Sequence, residues 1–193
     1  MPKAAPQYAT APIVGFRSRK AAQLCAYFAV LAGGTIEKLK LIKLVYLTER
    51  AFLGEHHHTI LFDEFYSLPS GPICSATLNG IDGIIHTEIW DEYLHKSGNI
   101  RVANKKYTRA QLDELSNAEV AAAGAAWEKF GGKTSNQLVT LTHAECREWT
   151  EVAKGKRLPI SYGDVLRALG DEDAESVEQE ISALRRAESA LAG

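Results

Sequence analysis

Proline, methionine and cysteine are scarce in this chain of 193 residues, with six, one and three copies. The cysteines, Cys25, Cys74 and Cys146, are odd in number and far apart. They make neither a disulfide framework nor a zinc-ligand pattern, so a reducing, cytoplasmic setting is expected. Excess charge of one sign is missing too. A formal net charge of -2 gives no chain-wide attraction to nucleic acid or to a membrane surface. The longest apolar stretch, residues 35–54, is interrupted by Glu37, Lys38, Lys40, Lys43, Glu49 and Arg50, which excludes a membrane span. Residues 1–16 lack the apolar core of a signal peptide and hold Pro2, Pro6 and Pro12, so they read as a flexible arm. No nucleophile elbow, phosphate-binding glycine loop, dinucleotide fingerprint or zincin motif is present.

What the chain does have is a helical stretch that is apolar on nearly every side. Residues 35–54 read as one helix, with Thr35 as N-cap and Gly54 as its stop. At about 100° per residue, Leu39, Tyr46 and Leu53 cover one arc and Leu41, Leu44, Val45 and Phe52 the opposite one. Such a helix is wrapped by other elements. Lys43 and Arg50 lie within roughly 20° of each other, with Tyr46 between them. Two readings stay open for this pair. Either the stems snorkel and the charges reach water, or the charges meet a carboxylate and backbone carbonyls inside the protein.

Around this helix the punctuation is dense. A helix capped by Ser18 and running through Leu31 ends at Gly33-Gly34 and should pair antiparallel with the central one. Glu55-His56-His57-His58 reads as a polar turn, because adjacent side chains diverge and no second ligand cluster accompanies them. Residues 61–68 suggest a strand broken by Pro69-Ser70-Gly71-Pro72, followed by a short helix over residues 75–81. Residues 88–94 alternate and are expected to form a hairpin with residues 99–103 across Ser97-Gly98. Capping boxes are expected at Thr108…Gln111, Ser116…Glu119, Thr134…Gln137, Thr142…Glu145 and, more weakly, Ser161…Asp164. They predict helices over residues 117–130, 135–141, 144–153 and up to residue 169.

Two charged stretches stand out. Lys96, Arg101, Lys105, Lys106 and Arg109 are unrelieved by any acid, and read as a solvated loop or, less favoured, a phosphate or acidic-partner contact, the former as in a nucleic-acid-binding regulator. Residues 171–180 carry six acids and no base. They lead into a terminal helix with Val177, Ile181, Leu184 and Leu191 in a stripe that suits either its own domain or another chain. The one fragment with a catalytic look is Thr142-His143-Ala144-Glu145 beside Cys146, with His143 as a base oriented by Glu145. A structural histidine in a first helical turn is the simpler reading. The fold expected is mainly helical α+β: a domain around a central buried helix with a small antiparallel sheet or hairpin. Its divisions are an arm (1–16), a main domain (17–170) and an acidic C-terminal helix (171–193).

An ordered set of short motifs resembles the Panacea, or SocA-like phage-associated antitoxin, domain family. The carriers are residues 39–47 (LKLIKLVYL), residues 68–73 (LPSGPI), residues 75–79 (SATLN), Trp90 and Tyr93, and Leu141-Thr142-His143 with Trp149. Ser70 departs from the aromatic or histidine the family often has before Gly-Pro. The resemblance implies a mostly helical fold with a small antiparallel sheet, and an antitoxin that neutralises a cognate toxin encoded beside it. It implies no catalytic residue, cofactor or metal. Some relatives are adaptors that deliver the toxin to a protease. Lys43, Tyr46, Arg50, Gly71, Thr142, His143 and Trp149 are the structural signature. Partner contact is expected at Tyr66, Pro69, Ser70 and Pro72, on a pre-organised loop, and at Asp171, Glu172, Asp173 and Glu178, which suit a basic toxin surface. A homo-oligomer remains open, membrane contact is not expected, and nucleic acid is disfavoured.

Overall fold

The structure is a computed structural model and describes residues 15–191. Most of the expected arm lies outside the described residues. The central helix, α2 (Lys38–His56), is enclosed as its all-round apolar pattern demands. Leu41, Leu44, Val45, Tyr46 and Leu53 are fully buried, and so are the polar Lys43, Thr48 and Glu49. Helix α1 (Ser18–Leu31), α3 (Ser75–Ile81), α5 (Asn117–Phe130), α6 (Ser135–Glu145) and α7 (Tyr162–Leu169) all pack on it. Two three-stranded antiparallel sheets complete the fold. One has the order β1 (Thr35–Glu37), β5 (Ile100–Ala103), β4 (Leu94–Ser97) and packs on α1. The other has the order β3 (Gly71–Cys74), β2 (Phe65–Leu68), β6 (Leu158–Ile160) and lies on α2 through β3. Helices α4 (Thr87–Tyr93) and α8 (Ala174–Leu191) flank α1 and α7. The architecture is therefore the mainly helical α+β fold with small antiparallel sheets.

Several boundaries differ, each for a reason found outside the local sequence. Thr35 is not an N-cap. It starts β1, because Ile36 pairs with Arg101 and the amide of Lys38 donates to the carbonyl of Asn99 (2.9 Å). Gly54 lies inside α2 rather than ending it. A Cβ there would sit 2.6 Å from Leu169 Cδ1, so the glycine admits close packing of α7. The helix ends instead at His57, in the left-handed conformation. Ser18 caps nothing among the described residues: its Oγ has no partner there, and α1 starts from Arg17 without a side-chain cap.

Residues 88–94 are mostly helical, not extended. Ile89, Trp90 and Tyr93 follow helical spacing, and Trp90 packs into the space left by Gly80. The hairpin survives, displaced, as β4 and β5. Pro69-Ser70 alone make the turn between β2 and β3, while Gly71 and Pro72 are strand residues. Proline is tolerated because β3 is an edge strand. Four capping boxes form, at Thr108, Ser116, Thr134 and Ser161. Thr142 does not cap: α6 runs through it, its Oγ1 donates to the carbonyl of Val139 (3.0 Å), and no orphan amide is left to donate to it. The expected helix over residues 144–153 is absent. That segment turns at Cys146 so that Trp149 and Thr150 can reach β2.

Candidate functional site

The signature residues converge on one knot where α2, the β2–β3 hairpin and the end of α6 meet. Lys43, fully buried, donates from Nζ to the carbonyl of Pro72 (2.7 Å). Burial pushes its pKa down to about 7. Gly71 sits above it with φ +95°, where a Cβ would lie 2.7 Å from Thr142 Oγ1 and 2.9 Å from Lys43 Nζ. One turn along α2, Tyr46 Oη donates to Glu148 Oε1 (2.7 Å), and Arg50 Nε donates to the same oxygen (2.7 Å). Arg50 Nη2 reaches the other oxygen at 3.2 Å, and the Glu148 side chain is wholly buried. Of the two readings open for Lys43 and Arg50, the internal one holds, with one carbonyl and one carboxylate as partners.

His143 stacks face to face on Trp149, with centroids 3.9 Å apart and an 8° interplanar angle. Trp149 Nε1 donates to the carbonyl of Leu68 (2.9 Å), and the amide of Thr150 donates to Ser67 Oγ (3.1 Å). Burial, then the charge of Lys43, holds the imidazole below its usual range. Its Nε2 is buried and has no partner among the described residues. Glu145, meant to orient His143, points its carboxylate to no hydrogen-bond partner among them. Burial pushes the neighbouring Cys146 thiol up to about 12, far from a nucleophilic thiolate. The knot's polar groups are thus mostly spent on holding the hairpin to α2 and α6.

A second feature brings together residues far apart in sequence. A cleft of about 280 Å³ opens between β2, β6, the start of α7 and α8. Phe65, Tyr66, Ile160 and Tyr162 form apolar walls, and Glu64, Glu178 and Arg185 bring charge. Of the expected partner-contact residues, Tyr66 and Glu178 meet here. Pro69 and Ser70 are exposed at the hairpin turn and Pro72 is buried, so none of the three lines the cleft. Asp171 pairs with His57 (2.6 Å) at the end of α2 and accepts from the amide of Asp173 (2.9 Å). Glu172 and Asp173 face solvent.

The basic stretch is dispersed. Arg101 is buried and donates to the carbonyls of Ile81, Gly98 and Ile100 and to Asp82. Lys96 donates to the carbonyl of Asp82, and Arg109 to those of Leu112 and Leu115. Lys105 and Lys106 alone remain exposed and unbonded to oxygen among the described residues. The three histidines also separate: His56 packs on Phe52, His58 on Phe62, and His57 goes to Asp171. Among the described residues no helix is long and apolar enough to cross a membrane.

Sequence reasoning missed the acids that organise the core. Glu49 accepts from the amides of Ile60 (3.0 Å) and Leu61 (2.7 Å). Asp63 accepts from the amides of Glu64, Ala76 and Thr77 and from Thr77 Oγ1, all within 2.8 Å. Glu148 was also missed, although the need of Arg50 and Tyr46 for an acid was a usable signal. A protein-family model described as "Antitoxin SocA-like, Panacea domain" matches residues 41–150, and every residue of the knot lies inside it. No curated protein and no solved structure matches the chain.

Proposed function

The chain belongs to the SocA-like, Panacea antitoxin domain family, and on that premise we propose that it neutralises a cognate protein toxin by binding it directly. The family match over residues 41–150 carries this reading. The geometry of the knot supports it. Lys43, Thr142, Trp149 and Glu148 are each engaged by a group of the same chain, as befits a scaffold that presents a surface. Catalysis is not part of the proposal. The three buried, unpaired cysteines suit a reducing cytoplasm. The partner is taken to be the product of an adjacent reading frame, and its contact surface to include the exposed acids Glu172 and Asp173.

The test is co-expression with that adjacent product. The expected outcome is restored growth, with both chains eluting together and the toxin level in cells unchanged. A toxin level that falls whenever this protein is present would replace neutralisation by delivery to a protease. Absence of both growth rescue and co-elution would refute the antitoxin reading. Reversal of Glu172 and Asp173 to lysine is expected to weaken rescue; undiminished rescue removes those two residues from the interface.

A further inference from the structure

The cleft between β2 and α8 has a chemistry that the family match does not explain, since part of its lining, Pro159 to Arg185, lies outside residues 41–150. Its acids are not equivalent. Asp63, at the floor, has both oxygens occupied by buried donors. Glu64 accepts from Tyr66 Oη (3.3 Å) and lies 3.9 Å from Arg185 Nη2. Glu178 has no hydrogen bond or ion pair among the described residues. Its carboxylate is held against Gly163 in the first turn of α7, in a space that a Cβ at that position would fill.

Within the cleft Glu64 and Glu178 face Arg185; Arg167, whose guanidinium also lies beside Gly163, is paired with Asp164 and Glu175, so Glu178 keeps no ion-pair partner among the described residues. The cleft walls are aromatic: Phe65 and Tyr162 meet edge to face with centroids 5.3 Å apart. Tyr66 already accepts a guanidinium, with Arg157 Cζ 4.3 Å from its ring centroid. An aromatic-walled slot with an unpaired carboxylate at its rim suits a cation on an apolar stem, since stem and charge both find complements there. A neutral or anionic side chain would leave Glu178 desolvated and unpaired.

We propose that this cleft is the anchor site for a lysine or arginine side chain of the partner protein, with Glu178 and Glu64 as its counter-charges. The proposal rests on the antitoxin reading for the identity of the partner, but not for the chemistry of the slot. It also assigns a role to β6, α7 and α8: they complete a specificity pocket against β2, the central strand supplied by the shared domain.

Two measurements test it. First, the full chain is titrated with N-acetyl-arginine amide and, separately, with its neutral isostere N-acetyl-citrulline amide, followed by amide chemical shifts. Arginine amide is expected to move the amides of Tyr66, Tyr162, Glu178 and Ser182, while citrulline amide leaves them in place. Glu178→Gln should weaken the arginine response about fivefold, the loss of one partly screened charge pair. Gly163→Ala, which displaces the Glu178 carboxylate without removing it, should weaken it in the same direction. Equal shifts with both probes, shifts elsewhere, or none at all would overturn the proposal. Second, the double variant E64Q/E178Q is tested for growth rescue against the adjacent product. Rescue by the native chain that the double variant reproduces in full overturns the cleft and leaves the antitoxin reading standing. Failure of the native chain itself overturns that reading, and the arginine titration still decides the cleft.

Discussion

At the scale of single residues, the knot concentrates what is least replaceable. Gly71 combines a left-handed φ of +95° with oxygen and nitrogen atoms crowding the position of a Cβ. Gly71→Ala is expected to cost about 3 kcal/mol, from backbone strain together with overpacking. Urea midpoints at neutral pH measure it, and a change below about 1 kcal/mol would show that Thr142 and Lys43 yield more easily than close packing allows. Lys43 makes a prediction of the opposite kind, in pH. Burial lowers its folded pKa from an ordinary value near 10.5 to about 7. The unfolded chain therefore binds one more proton between those values, and the associated stability, full above pH 10, is lost as pH falls through about 7. Lys43→Met should flatten that part of the profile, at up to about 1.4 kcal/mol per pH unit. Parallel profiles for the two proteins would mean that Lys43 stays charged when folded. Burial lifts Glu49 to about 8, so its own contribution runs the other way, lost as pH rises through that value. It is common to both proteins and cancels in the comparison.

At the scale of elements, helix starts were legible wherever the signal was local. Ser116 and Glu119 exchange their bonds across three residues, as do Thr134 and Gln137. Thr134→Ala is expected to cost about 1 kcal/mol, as for other N-cap removals. Thermal melts compare it with Thr140→Ala, an exposed threonine within the same helix, which is expected to change stability by less than about 0.5 kcal/mol. Equal losses would show that the box at Thr134 contributes nothing beyond propensity. Thr142 has the same residue spacing and no box, because its amide is already spent inside α6. The same logic explains α4: alternation in residues 88–94 favoured a strand, and the fit of Trp90 over Gly80 favoured a helix.

At the scale of the whole molecule, one core runs from α1 to α8. Ala174, Val177 and Ile181 of the acidic helix are buried against it, while Leu184 on the same stripe is 40 % exposed. Val177 and Ile181 of the stripe thus serve this chain. Truncation after Asp173 should lower stability by about 3–6 kcal/mol, the transfer value of burying Val177 and Ile181. It should also expose Tyr162 and open the far wall of the cleft. Denaturant titration of the truncated chain, with Tyr162 read by ring resonances, tests both. An unchanged midpoint would mean that α8 is an appendage energetically separate from the domain.

The sequence alone determined most of the helical stretches, residues 87–93 and 146–153 excepted, where several of them begin, and that the helix around residues 38–56 is enveloped. Periodicity and capping act over three to seven residues, so they are written locally. The tertiary structure alone decided which group each buried charge meets. Lys43 finds Pro72, Arg50 finds Glu148 and Glu49 finds Ile60 and Leu61. It also decided that Tyr66 and Glu178 share a cleft. A buried polar group must be satisfied, but its partner can lie anywhere along the chain that folding brings within hydrogen-bond reach.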